Sequence, residues 1–141
     1  MIILDTDHIS HLQEGSREGQ RIRARLEALG LAEFPPTTII TFEEQMRGWI
    51  GKLGQAKRMA DQLFVYRRLA RTLNYFAALT VYEFDERSAT EFQRFRSLKI
   101  RIGTMDLKIA AVAVANGATL WTRNRRDFEH VPGLHFEDGT L

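Results

Sequence analysis

Short apolar runs set at intervals among longer helical stretches constrain this chain more than any other feature. Ile2 to Leu4, Thr37 to Thr41, Leu79 to Phe84 and Thr119 to Thr122 are brief and rich in β-branched or aromatic side chains, which is the composition of buried strands. Leu134 to Phe136 offers a short fifth. Strands that alternate with helices imply an α/β fold, a three-layer α/β/α sandwich around a parallel sheet of four to five strands. In such a sheet, sites form beyond the carboxyl ends of the strands. Acidic or amide residues follow three of the runs: Asp5 after Ile-Ile-Leu, Glu44 after Thr-Ile-Ile-Thr, and Asn124 and Asp127 after Thr-Leu-Trp-Thr. That rule places Asp5, Glu44 and Asn124 on one edge. Asp106 differs, because it opens the most apolar helical segment, where a negative charge also suits the helix dipole. Carboxylates gathered from distant parts of a chain repel one another, and a divalent cation is the usual remedy.

The helices between the strands follow from periodicity and caps. Asp7 is expected to cap a short helix through Leu12. Glu18 to Leu29 carries Ile22, Leu26 and Leu29 at helical spacing, and Gly30 ends it. Phe42 to about Leu53 reads as a helix weakened by Gly48 and Gly51. Gln55 to about Leu73 reads as a long amphipathic helix with Met59, Leu63, Tyr66, Leu69 and Leu73 along one face. Asp85 caps a helix through Ser97, and Leu98 to Gly103 is a basic connector. Thr104 caps Met105 to Asn116, which Gly117 ends. Pro35-Pro36 is a turn into a strand, and no linker or repeat divides residues 1–141, so one domain is expected.

Composition narrows the classes. The chain has 141 residues, 44% of them apolar and 27% charged, with a net charge of only +2. That length supports a real core. No Cys is present, which excludes disulfides, Cys-ligated zinc and thiol chemistry and agrees with a reducing cytoplasm. No run approaches a membrane span, and no signal peptide is evident, so a cytoplasmic location away from the membrane is expected. The basic residues are mostly Arg, a side chain suited to phosphate; composition permits nucleic acid without demanding it.

Motif spacing sharpens the acidic pattern. Leu4-Asp5-Thr6-Asp7-His8-Ile9-Ser10, Ile40-Thr41-Phe42-Glu43-Glu44-Gln45-Met46-Arg47-Gly48, Ile102-Gly103-Thr104-Met105-Asp106 with Ile109-Ala110-Ala111, and Leu120-Trp121-Thr122-Arg123-Asn124 with Asp127-Phe128 occur in order. Together with Val131-Pro132-Gly133-Leu134, they resemble the blocks of PIN-domain ribonucleases of the VapC toxin type across nearly the whole chain. The resemblance selects Glu44 over Glu43 by its distance from Thr41 and Gly48. Two positions depart from the pattern: Gln45 stands where Leu is usual, and Asn124 where Asp is frequent. An amide binds metal through its carbonyl oxygen but brings no charge. Asp127 either supplies that charge or caps the following turn, and both readings stay open.

The resemblance implies a Mg²⁺- or Mn²⁺-dependent endoribonuclease that hydrolyses RNA with a metal-activated water and acts as the toxin of a toxin–antitoxin pair. Hard cations do prefer oxygen ligands. In that reading Asp5 and Asp106 are the main ligands, Glu44 is a ligand or orients the water, and Asn124 and Asp127 complete the set. Thr6, Thr122 and Asp7 stand behind them, with local backbone bonding or helix capping as their plainer roles. Arg101, Lys108, Arg123, Arg125 and Arg126 are candidates to hold phosphates. The resemblance further implies a small protein antitoxin that occludes the site and alone carries DNA binding. Apolar residues between Phe42 and Phe76 would meet that partner or form a homodimer. Trp49, Phe64, Tyr66 and Phe76 fall at helical spacing, which favours packing over base stacking. His8 and His11 are read as a polar helix face, and His130 and His135 as surface or turn residues. The alternative function is a PIN-fold module that binds RNA or protein with little catalysis. A phosphoacceptor receiver ranks lower, because Arg123 stands where that fold needs Lys.

Overall fold

The computed structural model describes residues 1–31 and 33–141. Five strands alternate with seven helices among them: β1 Ile2–Leu4, α1 Thr6–Glu14, α2 Arg17–Ala28, β2 Pro36–Thr38, α3 Ile39–Gln55, α4 Met59–Ala77, β3 Thr80–Tyr82, α5 Glu86–Ser97, α6 Thr104–Ala115, β4 Thr119–Trp121, α7 Arg125–Phe128 and β5 His135–Glu137. Every strand pair is parallel: β1 with β4, β4 with β5, and β2 with β3. The two ladders meet where the Thr37 hydroxyl donates to the Leu4 carbonyl at 2.9 Å. The ladders form a three-stranded sheet, β1-β4-β5, and a two-stranded one, β2-β3, with β2 lying beside β1.

Alternation along the central strands divides the core in two. Ile3 and Leu120 point to one face and pack with Phe95, Leu107, Ile109 and Ala111 of α5 and α6. Leu4 and Trp121 point to the other and pack with Ile9, Leu12, Ile22 and Leu26 of α1 and α2. Both faces of the sheet are covered, as an all-parallel sheet requires, and the expected three-layer α/β architecture is present.

Several boundaries differ from expectation, each for a local reason. Strand two ends at Thr38, not Thr41, because the Thr38 side chain accepts the Thr41 N–H and starts α3 at Ile39. The first helix is capped by Asp5, not Asp7, and runs to Glu14. Gly48 and Gly51 do not weaken α3 enough to end it before Gln55, so the next helix starts at Met59. On α4 the apolar residues Met59, Leu63, Tyr66 and Leu73 face outward, while Val65, Thr72 and Phe76 face the core. Gly103, not Thr104, is the cap of α6. Leu29 is exposed at the end of α2; Gly30 follows with φ +78°, as expected for a terminating glycine. No helix among the described residues is long and apolar enough to cross a membrane.

Candidate active site

Asp5 follows β1 directly and is 4% exposed. Its Oδ1 accepts the Thr6 N–H at 2.8 Å, and its Oδ2 accepts the Thr122 hydroxyl at 2.7 Å. Thr122 follows β4, so two adjacent strand ends share this contact. Burial pushes the Asp5 carboxyl from 3.8 up to about 7; nearby Asp7 and Asp106 add to the rise, and the two hydrogen bonds only reduce it.

Glu44 reaches the same edge by another route. It sits well inside α3, not at a strand end, and its Oε1 accepts the Thr6 hydroxyl at 2.8 Å. Thr6 also lies 3.1 Å from the Thr41 hydroxyl. Burial raises the Glu44 carboxyl, with Asp106 and Glu43 contributing and the Thr6 bond opposing. Glu43 turns instead to Arg47, at 2.7 Å.

Asp106 lies in the first turn of α6. Its carboxyl is raised by burial first, then by Asp127 and Asp7, against a hydrogen bond from Asn124. Asn124 Nδ2 donates to Asp106 Oδ2 at 3.4 Å and to Asp127 Oδ2 at 3.1 Å, while its Oδ1 accepts the Asp127 N–H at 3.4 Å. Asn124 thus caps α7 and holds two carboxylates together. Asp106 is the hub, since its charge acts on both Asp5 and Glu44.

Among the described residues no three acidic or imidazole groups close directly around one point. Hydroxyl and amide groups separate the carboxylates instead. Asn124 turns its Nδ2 to Asp106 and Asp127 and its Oδ1 to the Asp127 N–H, so the oxygen donor set is the carboxyls of Asp5, Glu44, Asp106 and Asp127, half-buried or buried, with ionisation of the first three disfavoured. It fits a hydrated divalent cation of the Mg²⁺ kind, which takes one or two carboxylates directly and keeps several waters.

Other sequence-predicted residues are distributed unevenly. Thr6 and Thr122 bond to distant carboxylates rather than to local backbone alone. Asp7 is not a cap: Oδ1 pairs with His8 at 2.7 Å and Oδ2 accepts the Arg123 N–H at 2.9 Å. Burial would raise Asp7, but these bonds outweigh it and its carboxyl falls below the usual range. Arg101, Arg123, Arg125 and Arg126 are exposed, while Lys108 lies over the Phe84 and Phe92 rings at 6.0 and 5.9 Å. His8, expected on a polar helix face, is fully buried. Sequence offers no signal for this, because its partner Gly139 lies at the far end of the chain. Of the aromatic set, Phe76 packs on Phe42 in the core, whereas Phe64 and Tyr66 are exposed.

Comparisons with known proteins agree on the fold. The tRNA(fMet)-specific endonuclease VapC of Salmonella typhimurium is 33% identical over 89 residues, covering 60% of this chain and 64% of that protein. The match therefore spans less than two thirds of that relative's length. The chain also superposes on one in the crystal structure of DNA-bound VapBC from Salmonella typhimurium, with 26% identity, a TM-score of 0.73, and coverage of 98% of this chain and 97% of that one. VapBC-1 from nontypeable Haemophilus influenzae shares the fold at 22% identity and a TM-score of 0.71, with both chains fully covered. The sequence model of the PIN domain matches residues 2–134. A parallel sheet buried on both faces, acidic residues gathered at its carboxyl edge and a family match over nearly the full length together establish that this chain belongs to the PIN domain family.

Proposed function

We propose that this chain is a metal-dependent endoribonuclease, the toxin of a toxin–antitoxin pair, with Mg²⁺ or Mn²⁺ held by Asp5 and Asp106, the set completed by Glu44 and Asp127, and Asn124 orienting Asp106 and Asp127. One observation carries the reading: Asp106 lies near enough to both Asp5 and Glu44, beyond the strand ends, for its charge to act on each, and burial disfavours the charge of all three. The relative described as a tRNA(fMet)-specific endonuclease supports the reaction class. The likeness to a chain of a VapBC complex supports the paired role.

When bound, the cation offsets the carboxylate charge, lowers the pKa of its water and stabilises charge on the phosphate. Thr122 holds Asp5 Oδ2 in place from the neighbouring strand end. Thr6 occupies Glu44 Oε1, which leaves Oε2 to orient an attacking water or accept its proton. A carboxyl whose pKa burial raises suits that exchange. Arg123, Arg125 and Arg126, exposed on the turn and helix beyond β4, hold substrate phosphates against the acidic cluster. Hydrolysis by water leaves a 5′-phosphate and a 3′-hydroxyl and needs no 2′-hydroxyl. Preference for RNA then comes from strand shape and access. An antitoxin covers the site and supplies DNA binding. The exposed Ile50, Phe64, Tyr66 and Leu73 on α3 and α4 serve that partner or a homodimer.

The test uses protein freed of any partner, a mixed RNA pool and Mg²⁺ or Mn²⁺, beside Asp5→Asn and Asp106→Asn. Cleavage lost on adding chelator and in both variants is the expected result. Equal cleavage by wild type and variants sinks the assignment. RNA retained without cleavage favours the binding-module alternative, whose specific support is that Asn124 donates to Asp106 and Asp127 where a further carboxylate would repel them.

A further inference from the structure

The hydrogen-bonded chain behind the carboxylates continues past Asp7 to the C-terminal segment. His8 is fully buried, yet both its ring nitrogens are engaged. The Gly139 N–H donates to Nε2 at 2.9 Å, so Nε2 bears the lone pair. The ring proton therefore sits on Nδ1 and is donated to Asp7 Oδ1 at 2.7 Å. Asp138 Oδ1, at 3.9 Å from Nε2, is too distant to take a proton from it. Asp7 Oδ2 accepts the Arg123 N–H and lies 3.5 Å from the Thr122 hydroxyl. Thr122 in turn donates to Asp5 and accepts the Asn124 N–H at 3.0 Å.

The far end of this chain is firmly held. Arg25 Nη1 donates to the Asp138 carbonyl at 2.9 Å, and its guanidinium lies 4.5 Å above the Trp121 ring. The Thr140 N–H and hydroxyl both donate to Asp138 Oδ1. Gly139 has no room for a Cβ, which would fall 2.4 Å from Trp121 Cε3 and 2.9 Å from His8 Nε2.

We propose that His8 is a positioning residue: the Asp138–Thr140 segment fixes its Nδ1–H tautomer, and through Asp7 it aligns the Thr122–Asn124 turn on the carboxylate cluster. Its effects on rate and metal affinity rest on the metal-dependent nuclease reading above; its effect on structure does not. A second role for the C-terminal segment follows, since it sets a tautomer at the site without approaching the carboxylates.

Nitrogen-15 NMR of the wild-type ring tests the tautomer directly. An Nδ1–H imidazole at neutral pH is expected; an Nε2–H tautomer or an imidazolium overturns the proposal. Two variants separate positioning from packing. His8→Asn keeps a donor where Nδ1 lies but loses the acceptor for Gly139. His8→Gln keeps an acceptor toward Gly139 but loses the donor to Asp7. His8→Gln is expected to weaken Mn²⁺ binding and lower kcat by about tenfold, the usual scale for removing a group that orients a metal ligand. Its KM for RNA should change little, and its Arg123 amide resonance should move. His8→Asn should lose less on each measure. Equal losses, or a greater loss in His8→Asn, overturn the proposal. If neither variant folds, the wild-type tautomer decides. If the wild type cleaves no RNA and binds no Mn²⁺, the nuclease reading fails, while the tautomer and the Arg123 amide still decide the role of His8.

Discussion

Asp5 serves two demands that oppose each other. As the cap of α1 it accepts the Thr6 N–H, and as a buried carboxyl it resists ionisation. Below pH 3.8 its carboxyl is protonated in both folded and unfolded chains and contributes nothing. As pH rises from 3.8 toward about 7 the unfolded chain loses the proton first, so the metal-free fold is progressively destabilised. Above that window the penalty is constant. Asp5→Asn keeps an acceptor for the cap and removes the charge. In chelator at pH 8 it should therefore melt higher than wild type, by on the order of 10 °C for a gain of a few kcal/mol. At pH 4 the difference should shrink toward zero. Thermal melts in which the variant is the less stable at pH 8 would mean that Asp5 is not held as a strained carboxyl.

Among the elements, α3 carries the most leverage. Its start is set by Thr38, and its position brings Glu44 to Thr6. Thr38→Ala removes the side-chain cap and should cost about 1 kcal/mol, read from the shift in urea midpoint. It should also loosen the Thr41 and Thr6 hydroxyls that steady Glu44. An unchanged midpoint would show that α3 is held by packing alone. The C-terminal segment behaves differently. Gly139→Ala forces a Cβ into Trp121, and overpacking of that kind costs about 1–3 kcal/mol. Gly15, whose φ is +66° with open space around it, demands glycine for backbone reasons instead.

For the whole molecule, the proposed cation would be linked to the fold. A cation that binds only the folded chain adds about 2.7 kcal/mol at a hundredfold excess over its Kd. Mn²⁺ should therefore raise the melting temperature by several degrees, more at pH 8 than at pH 5, because Asp5 must lose its proton to bind. The rise should vanish in Asp106→Asn. A full rise in that variant would place the ion elsewhere.

What could be read from residue order alone was whatever is periodic or local. The parallel α/β sandwich, the strand ends that carry Asp5 and Thr122, and the cap at Asp85 all follow from patterns within a few residues. The choice of Glu44 over Glu43 came from the family resemblance and not from periodicity; in the fold, Glu44 reaches Thr6 and Glu43 turns to Arg47. Tertiary structure alone decided contacts between distant residues. It set the core-facing side of α4 away from its apparent apolar stripe, because Val65, Thr72 and Phe76 meet the rest of the chain and Leu63 and Tyr66 do not. It buried His8 by bringing Gly139 to its ring, and joined Asn124 to both Asp106 and Asp127. Such pairings depend on how layers pack on the sheet, and packing leaves no period in the sequence.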